Sequence, residues 1–153
     1  MKNQVFQTGN TFDSQEFKVG HAKKVWRRTY EQLPGTGIIK NTADFLSDGK
    51  VRSGMALVKD TTPGADAQDY KALKWSEIVS AASGAGIDSL GIIGFLLEDV
   101  PVTSASTVGT CTVIVKGEIY GFMLGNTPEV AAIVAAAVKG MTQKNGLNIR
   151  VVD

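Results

Sequence analysis

The sequence predicts a mainly β protein with one C-terminal α-helix, preceded by an extended N-terminal arm. Three observations carry this expectation. Apolar and polar residues alternate with period two in residues 111–120 and 147–152, which suits half-buried strands. Residues 91–100 form an almost unbroken apolar run short enough to be a fully buried strand. The strongest helix signals sit together at residues 127–140.

Residues 1–50 read as an extended arm and residues 51–153 as a β-rich body with a C-terminal helix and a last strand. From Lys2 to Phe17 the chain is polar, with Phe6, Phe12 and Phe17 isolated among polar neighbours. Phe17, Val19 and Val25 suggest extended structure able to lie along another surface. Leu33, Pro34, Gly35, Thr36 and Gly37 form a turn by composition, and residues 47–50 form a second.

The body begins near Val51. Residues 55–59 predict a short strand, ended by Asp60, Thr61, Thr62, Pro63 and Gly64. Residues 70–75 can be a strand, and residues 75–83 one or two helical turns. Residues 101–109 are a Ser/Thr-rich loop. In the strand at 111–120, Cys111, Val113 and Val115 share one face, while Thr112, Ile114, Lys116 and Glu118 share the other. Gly117 falls where a bulge or tight bend belongs. Thr127 can cap a helix, Pro128 suits its first position and Glu129 complements its positive end. Lys139 suits the other end and Gly140 stops it.

Residues 130–138 of this helix are apolar at every rotation. A helix apolar all round must be covered all round. The sheet can cover one side, so Val130, Ile133, Val134, Ala135 and Val138 are expected to meet a neighbouring subunit, the alternative being a loop of the same chain.

The 153 residues carry 43% hydrophobic and 20% charged side chains, enough apolar material for a core. The net charge of +1 averages two unlike regions. Residues 1–50 hold eight Lys/Arg against five Asp/Glu, and residues 51–153 eight against ten. One cysteine permits neither an internal disulfide nor a CxxC metal site. The N-terminus has no apolar h-region, and the longest apolar stretch, residues 130–138, is far short of the ~20 needed to cross a bilayer. The expectation is production in a cytosol-like compartment, with no membrane partner.

Few residues suggest chemistry, and the expectation is a protein that is not an enzyme, with no cofactor, no metal and no small-molecule substrate. His21 stands in the arm beside Lys23 and Lys24, without the enclosed surroundings a general base needs. Cys111 sits on an apolar strand face, as a small buried hydrophobe does. Glu98 and Asp99 are adjacent on a strand end, so their carboxylates point apart rather than forming an acid/base pair or a metal site with Asp60. Residues 84–89 lack the third glycine of a dinucleotide fingerprint, and Gly35-Thr36-Gly37 lacks the Lys-Ser/Thr of a phosphate loop.

The one charged feature above background is Lys23, Lys24, Arg27 and Arg28 interleaved with Trp26 and Tyr30. Such a mix can hold phosphates and stack bases. It suits equally an arm docking on an acidic protein surface with its aromatics as anchors, and the near-zero net charge favours the protein partner over nucleic acid.

Three segments in order resemble the phage head decoration and head-fibre proteins, the group related to the lambdoid head decoration protein. They are Ser53-Gly54-Met55-Ala56-Leu57-Val58-Lys59, then Gly94-Phe95-Leu96-Leu97-Glu98-Asp99-Val100, then Gly109-Thr110-Cys111-Thr112-Val113-Ile114-Val115-Lys116-Gly117-Glu118-Ile119-Tyr120. The resemblance covers residues 51–122 and leaves out the arm and the elements after Gly125. It implies a β-barrel-like body that trimerises on the outer surface of a capsid, with the N-terminal segment reaching onto the major capsid protein. A homotrimeric virion protein stabilising the assembled head is thus the leading expectation. A tail or baseplate fibre-base adaptor, and a nucleic-acid-binding module using the basic cluster, are the alternatives.

Overall fold

The computed structural model describes residues 25–105, 107–144 and 146–153. Ten strands dominate it: β1 (Trp26–Gln32), β2 (Gly37–Ile39), β3 (Lys50–Val51), β4 (Ala56–Lys59), β5 (Asp69–Ala72), β6 (Ile92–Leu96), β7 (Val100–Pro101), β8 (Gly109–Cys111), β9 (Val113–Tyr120) and β10 (Asn148–Val152). Two α-helices join them, α1 (Trp75–Ser83) and α2 (Pro128–Gly140), with 3-10 helices at Thr42–Asp48, Ile87–Leu90 and Gly121–Met123. The fold is mainly β, as the alternation predicts.

Eight strands form one curled sheet in the order β1-β9-β6-β4-β5-β2-β8, with β10 also paired to β9. The long strand β9 organises it. Along one edge β9 takes β1, antiparallel. Along the other it takes β6 at Val113 and Ile114, and β10 in parallel from Lys116 to Tyr120. Between β9 and β10 the chain crosses over through α2, the connection a parallel pair requires. The core fills the concave side with Ile39, Phe45, Leu57, Phe95, Ile114 and Leu124, all essentially inaccessible.

The helix signals work as expected. The Thr127 hydroxyl accepts a hydrogen bond from the Val130 amide at 3.3 Å, Pro128 begins α2, and the helix runs through Gly140. Residues 75–83 make a full nine-residue helix rather than a turn or two. It packs on α2.

Residues 25–50 correct the expectation of an arm. They are sheet and core: β1 and β2 pair with β9, β5 and β8, and Val25, Trp26, Ile39 and Phe45 are buried. The polar composition that suggests an arm is that of an edge strand. In β1 only Trp26 is buried and the next six residues are all exposed. One large anchor holds such a strand where seven weakly apolar residues would be expected. The rest of the arm, with Lys23 and Lys24, lies outside the described residues.

Two glycines fit this anchor. A Cβ at Gly117 would stand 2.9 Å from the Trp26 ring and 2.8 Å from the Arg28 carbonyl oxygen, so Gly117 is the floor on which β1 lies. The register shift between Thr29 and Glu31 falls beside it. Gly54 turns with φ +86°, and a Cβ there would meet Val25 at 2.7 Å.

The α2 helix also differs from expectation. Ala131, Val134, Ala135 and Val138 are buried within the chain, against α1, β10 and the 3-10 turn at Gly121–Met123. Ala132, Ile133 and Ala136 are exposed, Ile133 at 42%. Alanine exposes little apolar area, so this side of the helix does not need a cover. Val134, Ala135 and Val138, expected to meet a neighbouring subunit, are therefore covered by their own chain. Val130 is half-buried, and Ile133 is the one expected interface residue that lies on the exposed side.

Candidate docking surface

The convex face of β1, β9 and β10 carries Arg27 and Arg28, two of the four basic residues of the cluster that the sequence singles out. In the ladder, Arg28 of β1 and Arg150 of β10 both stand opposite Glu118 of the central strand β9. A register shift between Trp26 and Arg28 brings Arg27 to the same carboxylate. Arg27 Nη1 donates to Glu118 Oε1 at 3.1 Å and Tyr30 OH donates to Glu118 Oε2 at 2.9 Å. Arg150 Nη1 lies 3.6 Å from the same oxygen as Tyr30.

Glu118 is only 7% exposed. The Tyr30 hydroxyl, then the charges of Arg27, Arg150 and Arg28, hold its carboxyl below the usual carboxylate range against the opposing effect of burial. It is therefore ionised at neutral pH. Tyr30 and Glu118 in turn raise the pKa of Arg28. Lys116, next along β9, is already matched by Glu31 at 2.7 Å. The result is two guanidinium groups, Arg27 and Arg150, paired with one carboxylate and a third, Arg28, opposite it in the ladder, with Tyr30 60% exposed beside them.

Of the residues expected to dock, Arg27, Arg28 and Tyr30 lie on this face and Trp26 does not. The Trp26 ring turns inward, 5% exposed, and its Nε1 donates to the Leu96 carbonyl at 3.0 Å. The register shift between Trp26 and Arg28 interrupts the alternation of β1, so Trp26 takes the core side while Arg28 stands on the side of Glu118. Glu118 and Arg150 were absent from the expected site. Alternation places each on the outer side of its strand, but only the parallel pairing of β10 with β9 makes them neighbours.

Two of the open grooves among the described residues are lined by other residues than these. One, of about 500 Å³, runs between the Gly121–Met123 turn and the start of α2, lined by Phe122, Pro128, Ala131 and Ala132. Phe122 is 66% exposed and packs against Tyr120 with ring centroids 5.4 Å apart. The other, about 550 Å³, passes Glu98, Asp99, Thr110 and Cys111. Asp99 is committed there to structure, accepting from Lys50 Nζ at 2.7 Å and the Ser53 amide at 2.8 Å. Burial pushes the Cys111 thiol up to about 11, so it is neutral and a poor nucleophile at pH 7. Asp60 accepts from the Thr62 amide and hydroxyl and pairs with Lys71 within its own turn. Residues 84–90 are a helix end followed by a 3-10 turn.

Among the described residues no three His, Cys, Asp or Glu side chains gather as a metal site would require, and no helix is long and apolar enough to cross a membrane. His21 lies outside the described residues. No family model, curated protein or solved structure matches the chain.

Proposed function

We propose that this chain is a non-catalytic structural protein that docks onto the outside of an assembled phage head, as a decoration protein or head-fibre base. The observation that carries the reading is the arginine and tyrosine face of β1, β9 and β10, set on a well-packed body. A β sheet holds such a face rigidly, so little side-chain entropy is lost when a partner meets it. Exposed arginine and tyrosine are also the residue types enriched where protein surfaces meet.

On this reading the major capsid protein is the partner, and binding only the assembled lattice stabilises it by mass action. Homotrimerisation, implied by the family resemblance, belongs to the same proposal. Its surface has to include exposed residues such as Ile133 rather than the buried face of α2. The virion exterior is the proposed location.

The test is co-sedimentation of the purified chain with assembled heads, together with electron microscopy of labelled particles. Binding to heads with label on the capsid surface is the expected outcome. Label confined to tails would replace the head by a tail or baseplate attachment, and absence of particle binding would overturn the reading.

A further inference from the structure

We propose that the β1, β9 and β10 face recognises a short acidic protein segment presenting two or three carboxylates, with Arg28 and Arg150 as contact residues and Glu118 as the positioning residue between them. This rests on the docking reading above and names the partner's chemistry.

The inference starts from an imbalance. Three guanidinium groups supply five N–H donors each, whereas the Glu118 carboxylate offers about four acceptor sites, one of them occupied by Tyr30. Most of the donors therefore face solvent, and Arg27 and Arg150 keep 45% and 71% of their side chains exposed. Glu118 does not neutralise the group. It holds Arg27 and Arg150 directly and stands opposite Arg28 in the ladder, leaving a local charge of +2. A planar guanidinium takes a carboxylate through two parallel hydrogen bonds, so a preorganised set of arginines is suited to carboxylates in particular.

Charge stoichiometry selects protein over nucleic acid. Arg28 and Arg150 flank β9 on either side, so their backbones are about 10 Å apart at the usual strand spacing. A duplex crossing that distance brings about one negative charge per 1.7 Å of axis. The face answers with two net positive charges and places Glu118 at its centre and Glu31 at its side. Two or three carboxylates match the imbalance, whereas a phosphate track exceeds it. Tyr30 adds an exposed ring and hydroxyl at the margin, where a polypeptide has side chains to pack on it.

The experiment measures binding of the full chain to assembled heads, to a fluorescent polyglutamate dodecamer and to a single-stranded DNA dodecamer, each across a salt series. The variants are Arg28→Gln with Arg150→Gln, Glu118→Gln alone, and Lys116→Gln, with thermal melts to establish that each is folded. The expected result is loss of at least tenfold in affinity for heads and polyglutamate in the double arginine variant, with Lys116→Gln unchanged. Glu118→Gln is expected to weaken binding although it makes the face more positive, a response that simple charge attraction does not give. If heads bind the parent and the double variant equally, this inference fails and the docking reading stands. If heads bind neither but polyglutamate binding depends on the arginines, the head reading fails and the acidic-segment inference stands. Tighter binding of DNA than of polyglutamate, or Glu118→Gln strengthening the binding of polyglutamate, overturns the inference.

Discussion

Trp26→Ala separates a core role from a docking role for the aromatic residue at the start of β1. The ring is 5% exposed, rests on Gly117, and donates from Nε1 to Leu96 O. Removing a buried tryptophan side chain costs about 3–5 kcal/mol through lost burial and the cavity left behind. The lost hydrogen bond falls at the lower end of its range, about 1 kcal/mol, because Leu96 O also accepts from the Gly54 amide at 2.8 Å and is not orphaned. At about 2–4 °C per kcal/mol for a chain of this size, the melting temperature falls by about 10 °C or more. Trp26→Phe keeps a six-membered ring but loses the donor and a part of the buried indole, so a smaller drop, of about 5 °C, is expected. Circular-dichroism melts and urea titrations measure both, and Trp75, the other tryptophan in the sequence, remains as a fluorescence reporter. A Trp26→Ala protein that melts within about 2 °C of the parent, yet no longer binds its partner, would refute the packing argument and restore Trp26 as an interface anchor.

Two further outcomes test the helix and the cysteine. Ala135→Glu places a carboxylate in the contact between α2 and the Gly121 turn, where it is expected to cost about 3 kcal/mol or more; Ile133→Glu, on the exposed side, is expected to leave the melting temperature within about 2 °C, and equal effects in the two melts would mean that α2 is packed differently. Cys111 is raised from an ordinary 9.0 to about 11 by burial, so native protein at pH 8 is expected to react with a thiol reagent about a hundredfold more slowly than urea-unfolded protein. A folded-state pKa raised in this way contributes stability below the unfolded value and loses it as pH rises from about 9 towards 11, so the urea midpoint should fall across that interval and Cys111→Ala should lessen the fall.

Much of the fold was legible because it rests on local signals. Thr127, Pro128 and Gly140 bound α2, and the alternation in residues 111–120 and 147–152 gives β9 and β10. Strand, helix and strand in that order also implies a parallel pair, which would have joined Arg150 to Glu118 had the crossover been followed through. Residues 25–50 differ from the arm expected of them for a physical reason. An edge strand has one covered side and neighbours on one edge only, so β1 can be polar at six of seven positions and still belong to the sheet. What holds it is long-range: a tryptophan at 26 and a glycine at 117, ninety-one positions apart, each uninformative alone. The helix α2 differs for another reason: an all-apolar helix predicts cover on every side, but its outer positions are mostly alanine, whose exposure costs little.

The same edge position explains how a docking face can exist here without inviting fibre-like association. A long, flat, apolar edge strand is a template for pairing with other chains, and native sheets blunt such edges with charge and bulges. β1 has both. Its register against β9 shifts at three points, and it carries Arg27, Arg28 and Glu31. The shift between Trp26 and Arg28 has a second consequence: it brings Arg27 to the same Glu118 that Arg28 faces across the ladder. The irregularity that discourages strand addition at the edge thereby concentrates guanidinium groups on the face. Recognition is then directed away from main-chain pairing, which accepts many extended segments, and towards side-chain chemistry that selects for carboxylates.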